Sequence, residues 1–304
     1  MIRVDYIRDG LVEEFHEGYC VSLKPIDGIK SDADVNAPYF MRSCAKPLQA
    51  TLLIDYGIDL APEELALCCG SHAGEDCHLK VAKNIMKKFK IEEEDLKCGV
   101  HAPLSRSMQN RMIVRGDNPT PLHNNCSGKH LGYLAICQEK GWDIATYDQP
   151  DHPLQQAIKE KINEMCGVTD SSKYPMTTDG CGVPILSMPL KNIATGFVNL
   201  LKYPQILSAM KANPYIMGGE GRTDTEIIQK TKNLVAKVGA GGLCAILNVQ
   251  EMNAFVVKIN DCSYEARRFA LLDIINRIGW GQIKYDNRIL TIAGKVVGQI
   301  VVSV

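Results

Sequence analysis

Neither sign of charge dominates this sequence: 34 Lys and Arg stand against 35 Asp and Glu, for a formal charge of -1. That leaves no electrostatic footprint for nucleic acid or an anionic membrane surface. No apolar run approaches the roughly 20 residues that span a bilayer. The first ten residues, MIRVDYIRDG, interleave charge with apolarity where a secretory signal would be continuously apolar. Internal repeats, low-complexity tracts and a long Gly/Ser linker are also missing, which argues against tandem independent domains. Close pairs of metal ligands are missing too. These absences lead to the expectation of a cytoplasmic protein whose partner is a small molecule, with no nucleic acid and no membrane involved. The twelve cysteines, without an export signal, read as reduced thiols, a few of them ligands or nucleophiles.

What is present is an ordinary globular composition, 45% hydrophobic over 304 residues, enough for a large core. IRVDYIR and LVEEFHEGYCVSL read as two strands around an Asp-Gly turn. At the other end, GGLCAILNV and AFVVKIN read as strands, SYEARRFALLDIINRIG as a helix, and RILTIAGKVVGQIVVSV as one or two further strands. EDCHLKVAKNIMKKFK, KHLGYLAICQEKG, HPLQQAIKEKINEMCG and RTDTEIIQKTKN carry apolar residues at helical spacing, with Gly141 and Gly167 as C-terminal stops. Strands without partners would leave backbone groups unpaired, so the two chain ends are expected to build one antiparallel sheet. The predicted architecture is a single interlocked α/β unit over 1–304: terminal strands at about 1–40 and 235–304, and a mostly helical region at about 41–234. Asn213 to Gly221 is the most loop-like internal stretch.

In MRSCAKPLQ, residues 41 to 49, a serine and a lysine stand one helical turn apart. Pro47 is tolerated only in a first turn, so the helix is expected to begin close to Cys44 with Ser43 near its positive end. Serine needs a base to be a nucleophile at neutral pH. Lys46 can be that base only if burial or a neighbouring cation, for which Arg42 is a candidate, lowers its pKa. An isolated Ser-x-x-Lys is more often a helix cap beside a surface lysine, so the pair needs company.

Three polar, glycine-punctuated segments supply it. CCGSHAGED places Ser71 and His72 on a turn after an apolar helix. HNNCSGKHLG crowds Asn125, Cys126, Lys129 and His130 before another helix, and TTDGCGVP carries Asp179 and Cys181 on a glycine-rich loop. By pattern alone, Cys126 is open to two readings, a thiolate ligand to zinc or the nucleophile of a Cys/His hydrolase. KVGAGG opens an apolar strand with Lys237, a loose echo of the Lys-Thr-Gly strand in penicillin-recognising enzymes.

Taken in order, RSCAKP, GSHAGE, HNNCSGKH, DGCGVP and KVGAGG resemble the asparaginase II family, the Rhizobium-type L-asparaginases. The resemblance implies a fold like that of serine β-lactamases and glutaminases, a homodimer, and hydrolysis of L-asparagine to L-aspartate and ammonia. It implies two Ser-Lys tandems, Ser43 with Lys46 and Ser71 with Lys237. It also implies a zinc ion held by Cys126, Lys129 and Cys181 that is structural or orients substrate. Asp179 matches a family aspartate near substrate amine or metal-bound water; Arg42, His72 and Asn125 complete the expected substrate contacts. In the resulting scheme Ser43 attacks the side-chain amide and neutral Lys46 takes its proton, although the two serines can exchange roles. Two rivals use the same residues: an amidohydrolase for glutamine or a β-lactam, and an amino-acid sensor that binds without turnover.

Overall fold

The computed structural model describes residues 1–27 and 36–304. The expected N-terminal strand region of about 1–40 runs across 28–35, and that part of the expectation lies outside the described residues.

Strands β1 (Ile2–Arg8) and β2 (Leu11–Ser22) form the expected hairpin. Asp9 and Gly10 both take positive φ, 45° and 83°, as a two-residue turn that matches strand twist demands. β3 (Pro38–Phe40), β4 (Met176–Thr178) and β5 (Pro184–Pro189) make a small sheet of order β3-β5-β4, of which β4 and β5 lie within the region expected to be mostly helical, where periodicity did not foresee them. Near the C-terminus come β6 (Leu234–Val238), β7 (Leu243–Asn248), β8 (Asn253–Ile259), β9 (Arg288–Leu290) and β10 (Val296–Ser303). The seven-stranded sheet has the order β6-β7-β8-β2-β1-β10-β9, antiparallel throughout, so β2 pairs with β8 and β1 with β10. Both chain ends therefore build one sheet, as expected, because each hairpin finds its missing ladder partners in the other terminus.

Strands β6 and β7 are buried at every residue, and β8 at all but one. The helix Leu190–Asn199 packs on β7, β8 and β2, while Tyr264–Arg277 packs on β8, β1 and β10. Each fully buried Leu, Ile or Phe in these layers contributes about 1.5–3 kcal/mol through area removed from water. The predicted helices form at Asp76–Phe89, Ser127–Lys140, Pro153–Cys166, Thr223–Lys230 and Tyr264–Arg277. Gly141 and Gly167 end two of them in the left-handed conformation that avoids a Cβ clash. All twelve cysteines are unbridged. Among the described residues no helix is long and apolar enough to cross a membrane.

Two local expectations change. Lys237 lies inside β6 rather than opening the following strand, because the apolar run LVAKV precedes the glycines that turn the chain. Residues 214–217 are one helical turn rather than open loop, and Met217 is buried.

Candidate active site

The 42–45 segment is a single 3-10 turn, followed at Lys46 by the helix Lys46–Gln49 with Pro47 in its first turn. Arg42 enters it with φ of 48°, a sparsely populated conformation for a residue with a Cβ. The surroundings hold it there. Met41 N–H donates to Leu186 O of β5 at 3.0 Å, and Cys44 Sγ donates to Lys237 O of β6 at 3.1 Å. A Cβ on Gly239 would meet Cys44 Sγ at 3.2 Å and Met41 O at 3.3 Å, so glycine just after β6 lets the chain lie against the turn without displacing it.

Lys46 is buried, and its Nζ has three contacts: Gly70 O at 2.6 Å, Ser71 Oγ at 3.0 Å and Asn125 O at 3.1 Å. The hydroxyl beside the amine is thus Ser71, not the Ser43 of its own turn. Burial lowers the Lys46 pKa to about 8, helped by the positive charges of Lys237 and Lys129 and opposed by Cys126 and Cys181. Arg42, expected to supply that positive field, is instead neutralised by Asp179 at 2.9 Å.

Carbonyl oxygens can only accept, so a neutral Lys46 gives its two N–H bonds to Gly70 O and Asn125 O. Its lone pair is then left for the one partner with a proton to give, Ser71. Ser71 is itself fixed through its backbone N–H, which donates to Met217 O at 2.9 Å.

Lys237, expected opposite Ser71, is fully buried and spends its ammonium on Asp224 Oδ2 at 3.3 Å and Val238 O at 2.8 Å. Burial opposes charge on Asp224, but Lys237, Arg222 and the Val238 N–H together hold its carboxyl below the usual range. Nothing in RTDTEIIQ distinguished Asp224 from a surface acid; only its place on the buried side of Thr223–Lys230 does.

His72, an expected substrate contact, has both ring nitrogens engaged inside the protein. Nε2 lies 2.9 Å from Ser127 Oγ, and Nδ1 accepts from the Gly74 N–H at 3.1 Å. Ser127 donates onward to Leu122 O, so His72 carries its proton on Nε2 and locks the 70–75 loop to the helix behind it.

Cys126 and Lys129, at the start of the helix Ser127–Lys140, meet Cys181 of the 179–183 loop, with Lys129 Nζ 3.0 Å from Cys181 Sγ. A hydrogen bond with Cys181, then the ammonium groups of Lys46 and Lys129, hold the Cys126 thiol well below its ordinary pKa against the effect of burial; that of Cys181 is pushed up by the same bond. Among the described residues no group of three or more His, Cys, Asp or Glu side chains is placed to hold a metal, so an ion here needs the Lys129 amine as its third donor. The two sulfurs suit zinc, while Lys129 can be the third donor only after losing the proton that Cys181 and Cys126 hold on it against the effect of burial. His130 lies alongside, with Nδ1 2.7 Å from Tyr147 Oη and its ring beside Cys181.

Two cavities open at this cluster. One, of about 220 Å³, is lined by Arg42, Ser43, Asn125, Cys126, Asp179 and Cys181. The other, of about 160 Å³, is lined by Ser43, Ser71, Asn125, Ala240, Arg222 and Arg267. Ser43, Asn125 and Ala240 line both, so the cavities adjoin at the serine. Arg222, Asp224 and Arg267 were invisible as site residues in the sequence because no short motif contains them.

A buried amine of lowered pKa against a serine hydroxyl, at small polar cavities, is the equipment of an amidohydrolase rather than of a macromolecule-binding module. The chain belongs to the L-asparaginase II family, whose profile matches residues 4–302, and is an amidohydrolase acting on an amino-acid substrate. No curated protein matches it. Among solved structures it is similar to a β-lactamase from Mycobacterium bovis, with a TM-score of 0.41 and 13% identity over 92% of this chain and 95% of that one. It is also similar to SurE solved with D-Leu, with a TM-score of 0.36 and 11% identity over 94% of this chain and 74% of that one. Neither likeness constrains fold or function further.

Proposed function

We propose that the protein hydrolyses L-asparagine to L-aspartate and ammonia through an acyl-enzyme on serine. The observation that carries this reading is Lys46, buried, lowered to about 8 and 3.0 Å from the Ser71 hydroxyl. Ser43, half-buried and lining both cavities, is the hydroxyl that meets the substrate. Its oxygen attacks the side-chain amide carbon as its proton passes to Ser71 and the Ser71 proton passes to Lys46. Collapse of the tetrahedral adduct breaks the C–N bond, and the proton on Lys46 returns along the same path to the departing ammonia. Water then attacks the ester, giving its proton through Ser71 to Lys46, and the same path returns a proton to the departing Ser43 oxygen. Backbone amides of the 42–45 turn are the candidate donors to the oxyanion. Lys237 contributes the positive charge that helps keep Lys46 neutral, and Asp179 with Arg42 forms a polar wall facing the amino-acid end of the substrate. Cys126, Lys129 and Cys181 would hold zinc, which when bound would polarise or orient a polar group of the substrate. The homodimer is part of this reading and is tested by sedimentation.

The direct contact between Lys46 and Ser71 favours a second assignment, in which Ser71 is itself the nucleophile. Ammonia release from asparagine and glutamine tests the activity. Trapping the intermediate by acid quench and mapping the aspartyl ester to the peptide bearing residue 43 or 71 separates the two assignments. Ammonia release without an ester on either serine overturns both.

A further inference from the structure

The smaller cavity carries more positive charge than the protein itself compensates. Arg222 and Arg267 both line it, and no carboxylate does. Arg267 is 3% exposed and held by Nη1, which donates to Gly239 O at 2.9 Å and Leu243 O at 3.3 Å, while its guanidinium lies 5.1 Å from the Tyr264 ring centroid. Arg222 makes no ion pair among the described residues. In both side chains Nε is buried with no hydrogen-bond partner. Asp224, whose charge Arg222 helps to hold, is already engaged by Lys237 and by the Val238 N–H at 3.3 Å. Two guanidiniums, Lys237 and a single carboxylate leave an excess of positive charge in a site of low dielectric, and unpaired donors there are costly unless a ligand satisfies them.

We infer that Arg222 and Arg267 form a carboxylate clamp that takes the free α-carboxylate of the amino-acid substrate and so fixes its amide at the serines. This rests on the amidohydrolase reading of the same site. Guanidinium matches a carboxylate through paired N–H donors, and Arg267 is pre-oriented by its two carbonyl acceptors, so little order is lost on binding. The adjoining cavity offers the opposite pole, Asp179, at the other side of Ser43. A substrate bearing both an ammonium and a carboxylate on one carbon can then present one to each side. The clamp excludes substrates whose α-carboxylate is blocked, as in an internal asparagine of a peptide.

The test compares L-asparagine with its α-methyl ester in the full-length protein, by ammonia release, and measures L-aspartate binding by calorimetry. Wild type should prefer the free acid by about 100-fold or more in kcat/KM, since a site built for a charge-assisted pair rejects ligands that lack it. Arg222→Gln should lose most of that preference through a higher KM for asparagine, leaving the ester little changed. Arg222→Lys should restore part of it. L-Aspartate affinity should fall by about tenfold or more in Arg222→Gln and in Arg267→Lys. Equal losses on both substrates, or unchanged aspartate affinity in both variants, overturn the clamp. Aspartate binding that depends on the arginines, without ammonia release by wild type, instead overturns the catalytic reading and leaves the clamp standing.

Discussion

Lys46 Nζ lies 3.0 Å from the hydroxyl of Ser71, a residue 25 positions further along the chain, and makes no hydrogen bond to Ser43 three positions before it. The 3-10 geometry of residues 42–45 turns the Ser43 side chain toward the cavities while Lys46 points inward beneath the 70–75 loop. A tandem read along the sequence is therefore a cross-element pair in space, and the first prediction concerns that pair.

Replacing Lys46 with Met keeps the buried stem and removes the base. Turnover should fall by about 10²- to 10⁴-fold with the fold intact by circular dichroism. Ser43→Ala should lie at or below that level, and Ser71→Ala should be impaired to a similar degree if it relays the proton. Near-normal turnover in Ser71→Ala would remove the relay.

Catalysis by neutral Lys46 sets a pH limb. Below about 8 the amine is mostly protonated, so kcat/KM should climb about tenfold per pH unit and level off above that value. The charge on Lys237 is one cause of the lowered pKa, so Lys237→Met should move the limb to higher pH. A limb that stays in place, or moves down, contradicts the coupling.

Asp224 and Lys237 are buried partners at 1% and 0% side-chain exposure. Asp224→Asn leaves an ammonium in the core with no counter-charge and should cost about 3–5 kcal/mol by denaturant titration. The double variant Asp224→Leu with Lys237→Met should recover most of that loss, because an apolar pair needs no desolvation compensation. A double variant as unstable as the single one would show that the pair contributes more than charge balance.

Zinc should bind in about one-to-one ratio and be lost in Cys126→Ser and Cys181→Ser, measured as metal content after dialysis. Cobalt substituted for zinc should show a thiolate charge-transfer band in wild type and lose it in those variants, a readout independent of turnover. Full metal retention in both variants would move the site elsewhere.

Alkaline stability tests the buried thiols. Burial pushes Cys20, Cys44 and Cys69 up to about 12, so in the folded state they stay protonated where an unfolded thiol titrates near 9. A folded pKa above the unfolded one gives stability that is complete below about 9 and is lost as pH rises towards 12. The midpoint of thermal unfolding should fall steadily between pH 9 and 11, and Cys44→Ala should make that fall shallower. An equally steep fall in the variant would assign the effect to other groups.

The sequence by itself determined the elements and which of them had to pair. Asp9-Gly10 dictates a hairpin, Gly141 and Gly167 end helices, and terminal strands without local partners must meet each other, all from conformational and hydrogen-bonding rules that act within a few residues. The resemblance of its motifs to the asparaginase II family also grouped Ser43, Lys46, Asn125, Cys126, Lys129, Asp179 and Cys181, and the structure brings these residues together. The small sheet β3-β5-β4 was not legible, since β3 and β4 have only three residues each and β5 is bounded by prolines, which leaves too little periodicity to read. Only the tertiary structure decided which serine faces Lys46, that Arg42 is spent on Asp179, that Asp224 pairs with Lys237, and that Arg222 and Arg267 share a cavity. Those are choices among partners far apart in sequence, and burial and distance, which no local pattern encodes, determine their energies.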